Sequence, residues 1–119
     1  VGDTTRDRIV EGLAESGTLS DLLKALQLSP SNPKLLSAYA HQMLLTGGVE
    51  EKTKRIATYR IAKARELGGD NAVVFYRSAQ IEKMLNNQTD ALKYIDRAIE
   101  LDSANTEYSD FKESLLQSN

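Results

Sequence analysis

Few side chains in this sequence could do chemistry, and their spacing speaks for binding rather than catalysis. There is a single histidine, His41, and no cysteine. No Cys–His couple is available as an activated nucleophile, and no second imidazole completes a common zinc site. Gly47-Gly48 and Gly68-Gly69 read as helix stops, without the sequence of a phosphate-cradling loop. Glu50 and Glu51 are neighbours, which on a helix sends them in different directions instead of pairing them as acid and base. The expectation is a chain that is not an enzyme and carries no cofactor and no metal. Tyr76 and Arg77 are a different matter, because Val73 and Gln80 stand three and four residues away. On a helix these four share one face, away from Phe75 and Ala79. Tyr and Arg dominate binding energy at protein interfaces, so the chemistry expected of this face is recognition.

The chain that must hold that face has 119 residues and is 40% hydrophobic but only 6% aromatic. One soluble globular domain over 1–119 is expected, with a continuous core built from aliphatic side chains and alanine. The net charge of −2 supplies no broad basic field for nucleic acid or an anionic membrane. No apolar run approaches the ~20 residues of a membrane span, so direct membrane insertion is not expected. Absence of cysteine suits reducing and oxidising compartments equally. The chain starts at Val1 rather than Met and reads as a piece of something longer. Asn87 begins an Asn-Gln-Thr glycosylation pattern, which a turn between helices explains equally well.

Turn-prone clusters divide the sequence at 16–17, 29–33, 47–48, 68–71, 86–87 and 103–105. The intervals have helical period, which predicts seven helices at about 3–15, 19–28, 33–46, 50–67, 72–85, 89–101 and 106–117. Two of them say nearly the same thing. Ala57, Ile61, Ala64, Glu66, Leu67 and Asn71 recur as Ala91, Ile95, Ala98, Glu100, Leu101 and Asn105, each 34 residues on. Ala25, Leu28 and Asn32 precede Ala64, Leu67 and Asn71 by 39, which places five extra residues inside the middle unit, in "VEEKTKR". A period of this size marks stacked helical hairpins, each leaving an apolar face for the next. Recurrent alanine has a physical use there, since small residues at a crossing let helices approach to the short end of the ~8–10 Å range. The extra residues are expected to lengthen a helix and expose a charged end, with Glu50–Lys54 and Glu51–Arg55 as i,i+4 pairs. That end is either simply solvated or a secondary docking surface. The last helix carries Tyr108, Phe111, Leu115 and Leu116 on one side, fit either to cover the open end of the array or to pair two chains.

With these positions the chain resembles the tetratricopeptide repeat family. Phe75 and Ala79, Ala91, Ile95 and Ala98, and the ending "LDSAN" sit at its pattern positions, as do Leu36, Tyr39, Ala40, Gly47, Ala57, Ile61, Ala64 and Leu67. The resemblance implies an all-α, right-handed superhelical stack of antiparallel helix pairs. It has about three units, at 3–32, 33–71 and 72–105, closed by a capping helix at 106–117. It also implies a concave groove lined by the first helix of each unit. By position these are Lys34, Ser37, Ala38 and His41, then Val73, Tyr76, Arg77, Gln80 and Lys83, with Asp7, Arg8 and Glu11 from the first unit. A branch of the family grips C-terminal carboxylates through lysines, asparagines and an arginine; only Arg77 coincides with that set, so such a clamp is not expected. What is expected is a scaffold that binds a peptide segment of another protein, with no nucleic acid as partner. The alternative is a structural or self-assembly module that forms a homo-oligomer or packs within a longer chain.

Overall fold

The computed structural model describes residues 2–117, with side chains from residue 5 onward. Seven helices and no strand occur among the described residues, so the chain is all-α. They are α1 (Gly2–Ser16), α2 (Leu19–Leu28), α3 (Pro33–Gly47), α4 (Glu51–Gly68), α5 (Ala72–Met84), α6 (Gln88–Leu101) and α7 (Thr106–Gln117).

The recurring asparagine has a specific task at these boundaries. The side-chain oxygens of Asn32 and Asn71 accept the backbone N–H of Leu35 and Val74, capping α3 and α5. Asn105 does the same for the N–H of Glu107 at the start of α7. Each satisfies one of the orphan donors of a first helical turn. At the other ends, Gly48 and Gly69 leave α3 and α4 through positive φ values of 76° and 57°, where a Cβ would be strained. Asn86 does so after α5, at φ 63°.

Packing follows chain order. The principal contacts join α1 to α2, α3 to α4 and α5 to α6, and then α3 to α5 and α7 to α6. None of these principal contacts links α1 or α2 with α6 or α7, and the chain measures 48 × 35 × 23 Å. The repeated positions form the interior: Ala25, Ala57, Ala64, Ala91 and Ala98 are wholly buried, as are Ile61 and Ile95. α5 is the shared wall between two clusters. Val74 and Ile81 face the apolar cluster built by α1 to α4, whereas Phe75 and Ala79 face the one built with α6 and α7. A helix hydrophobic on two adjoining stripes must bury both, and this is how α5 does so. Ser78, on the first stripe, is wholly buried but satisfied: its hydroxyl donates to the Val74 carbonyl and accepts from Arg65, both at 2.9 Å.

α4 has 18 residues against 14 in α6, and α3 has 15 against 13 in α5. Glu50 stays outside the helix as its N-cap residue, its carbonyl accepting the Lys54 N–H. The expected Glu50–Lys54 side-chain pair therefore does not form, and Lys54 lies 4.0 Å from Glu51 instead. α7 turns Tyr108 and Leu115 inward, 3% and 2% exposed, but Leu116 is 54% exposed, one residue further round the helix than the apolar seam. Lys112 pairs with Asp96 of α6 at 2.7 Å, and Gln88 donates to the Leu115 carbonyl at 3.0 Å. Both hold α7 against its neighbour.

Candidate interaction face

Capped by Asn32 and Asn71 and pressed together by their buried stripes, α3 and α5 lie side by side. The residues between those stripes make the face the sequence pointed to. Arg77 is its centre. Its Nη1 reaches from α5 to α3 and donates to the Lys34 carbonyl and the Ser37 hydroxyl, both at 3.3 Å. Ser37 in turn donates to the Lys34 carbonyl at 2.8 Å and is wholly buried, so it braces Arg77 from beneath and offers nothing to solvent. Among the described residues no carboxylate lies within ion-pair distance of Arg77. The guanidinium is half-buried with neutral acceptors only, and that burial pushes its pKa down while leaving it charged.

A small cavity of about 110 Å³ opens beside it, lined by Ala14, Leu22, Ala38, His41, Gln42 and Arg77. The imidazole of His41 is held below its ordinary pKa, first by burial and then by the Arg77 charge. Both effects disfavour a second cation, so His41 is a neutral hydrogen-bonding group at neutral pH.

The rest of the face divides. Tyr76 is turned the other way, under α7: its ring lies 4.8 Å from that of Tyr108 and 5.6 Å, edge-on, from that of Phe111. Burial, and next the Glu107 carboxylate, raise its pKa to about 12. Lys83 sits 5.5 Å above the Phe111 ring. The sequence reading set Tyr76 and Arg77 side by side on an open face. In the fold Tyr76 packs under α7 while Arg77 hydrogen-bonds to α3, with Tyr108 and the Glu107 carboxylate of α7 near enough to act on both. The cue in the sequence was the spacing of Tyr108 and Phe111, which puts two rings on one face of α7 and calls for an aromatic surface opposite. Lys34 is exposed, and Val73 and Gln80 are half-buried on α5. Asp7, Arg8 and Glu11 are exposed on α1, which borders this face through Ala14, and none of the three lines the cavity beside Arg77.

The sequence alone did not show the cation–aromatic contacts that join helices, two of which start from α4. Arg65 of α4 lies 4.4 Å over the Tyr94 ring of α6, and Arg60 lies 4.9 Å over the Tyr39 ring of α3. Among the described residues, no cluster of three His, Cys, Asp or Glu side chains could hold a metal ion. Among the described residues no helix is long and apolar enough to cross a membrane. In comparisons with known proteins, no family model matches the chain and no curated protein matches it significantly.

Proposed function

We propose that the chain is a non-catalytic protein-interaction module of tetratricopeptide type, a right-handed stack of helix pairs that holds a peptide segment of a partner along α3 and α5. The 34-residue recurrence, the order of helix contacts and the capping role shared by Asn32, Asn71 and Asn105 support the stack. The observation that carries the binding role is Arg77. Among the described residues, this half-buried guanidinium with five N–H donors hydrogen-bonds to only two neutral acceptors, both through Nη1, beside a cavity lined by a neutral imidazole. A peptide lying across the seam supplies the missing acceptors from its carbonyl or side-chain oxygens, with Lys34, Val73 and Gln80 flanking it. The competing reading, self-association through Tyr108 or Phe111, cannot use Tyr108, which is 3% exposed.

The test is a pull-down with peptide mapping, followed by titration of the mapped peptides against wild type and Arg77→Glu. Saturable binding in wild type that the variant loses, with its helical circular dichroism retained, is the expected result. Peptides bound equally by both proteins would refute the assignment. Lys34→Glu, at an exposed position, repeats the test where no buried contact is disturbed.

A further inference from the structure

The opposite side of α4 carries an independent observation. Lys52, Lys54, Arg55, Arg60, Lys63 and Arg65 make this helix strongly basic against Glu51 and Glu66, in a chain whose net charge is −2. The helical period gathers Lys52, Arg55, Ile56, Tyr59 and Arg60 on one face, where they line a hollow of about 590 Å³. A second hollow of about 280 Å³, lined by Leu23, Leu26, Gln27, Pro30 and Leu36, meets the first at Arg60. The first is lined by α4 alone and the second by α2, the turn after it, α3 and Arg60, so the two form a shallow trough that runs from the α4 surface onto α2, with Arg60 in both parts.

Its floor is apolar and its rim is cationic. Tyr59 is 68% exposed and Leu23 43%, large apolar surface with nothing over it. None of the lining residues is acidic, and among the described residues no carboxylate is paired with Lys52, Arg55 or Arg60. Arg60 is fixed by its stacking on Tyr39, and its Nε is buried without a hydrogen-bond partner among the described residues. Stacked guanidinium groups of this kind present a planar fork suited to carboxylates. From Lys52 to Arg60 the helix rises about 12 Å, a little over two turns.

We propose that this trough is a second docking surface, and that its occupant is an acidic amphipathic segment of a partner protein. Its apolar side chains go between Leu23 and Tyr59, and its carboxylates pair with Lys52, Arg55 and Arg60. Charge complementarity selects the acidic partner, and the apolar floor favours a peptide over a nucleic acid, whose phosphates would use the rim alone. The surface is separate from the α3–α5 face and does not depend on it.

The probe is a blocked synthetic peptide of about three helical turns with Leu at helical spacing and Glu between, compared with its Gln counterpart. Binding to the full chain is followed by fluorescence anisotropy and mapped by NMR. The Glu peptide is expected to bind saturably, shifting Ile56, Tyr59 and Leu23. Lys52→Glu with Arg55→Glu should weaken it by about tenfold or more, and so should Gln replacement or high salt. Tyr59→Ala should weaken it without changing its salt dependence, and Arg77→Glu should leave it unchanged. Lys52, Arg55 and Tyr59 are exposed, so these variants leave the core intact. The proposal fails if the Glu peptide does not bind, binds the reversed-charge variant equally, or maps to α3 and α5. It fails equally if a uridine oligonucleotide binds in its place, or if sedimentation shows the trough buried between two copies of the chain.

Discussion

Replacement of Arg65 by Met tests whether successive helix pairs are tied together by polar contacts as well as by alanine packing. Arg65 leaves α4, donates from Nη1 to the Ser78 hydroxyl of α5 at 2.9 Å, and lies 4.4 Å over the Tyr94 ring of α6. One side chain therefore spans three helices and both apolar clusters. Methionine keeps the unbranched stem and its packing but removes the charge and the donors. Ser78 is not orphaned by the change, since its hydroxyl still donates to the Val74 carbonyl. That confines the loss to the charged hydrogen bond, about 1.5–3 kcal/mol, and the cation–π contact, about 0.5–1 kcal/mol at a partly exposed site. Because the terms overlap at one side chain, a total of roughly 1.5–3 kcal/mol is expected, read as a lower urea midpoint at unchanged slope. A double-mutant cycle with Tyr94→Leu isolates the ring contact and should return a coupling of about 0.5–1 kcal/mol. A loss within about 0.5 kcal/mol for Arg65→Met, the range of an ordinary surface substitution, would refute the idea that Arg65 joins the pairs.

Three further outcomes follow from the same structure. Asn71→Ala removes the acceptor for the Val74 N–H and should cost about 1 kcal/mol in thermal or urea unfolding, with Asn71→Gly costing only a few tenths. Ala98→Leu overpacks a wholly buried crossing and should cost about 1–3 kcal/mol, whereas Ala62→Leu, at an exposed position of α4, should stay within about 0.5 kcal/mol. An unfolded histidine titrates near 6.5, while burial and Arg77 hold His41 lower in the fold. Between those two values the unfolded chain binds more protons, so the His41 contribution makes stability fall as pH falls below about 6.5. Unfolding curves from pH 7.5 downward should show that fall reduced in His41→Gln, and identical pH profiles for the two proteins would contradict it.

The elements were legible because their determinants are local. Turn residues, the 3.6-residue period and the 34-residue recurrence fall within one or two helices, and each observed helix lies within a few residues of its expected bounds. The two stripes of α5 were legible in the same way, Val74 and Ile81 on one and Phe75 and Ala79 on the other. The interaction face was legible only in part. Lys34, Ser37, His41 and Arg77 do come together, but Ser37 is a buried brace, and Tyr76 and Lys83 face α7. The Glu50–Lys54 pair failed for a local reason that composition hides: a cap residue lies outside the helix, where i,i+4 geometry does not apply.

The order of side chains along the chain was sufficient for the all-helical class, the approximate helix bounds and the buried alanines. Only the tertiary arrangement decided that α7 covers Tyr76, that Arg77 leans on α3, that Arg65 and Arg60 settle over rings, and that a basic trough stays open beside α4. The division has a physical cause. Periodicity determines which side of a helix avoids water, whereas the partner of a long cation or ring depends on the rotation and separation of helices many residues apart, set by the packing of the whole core.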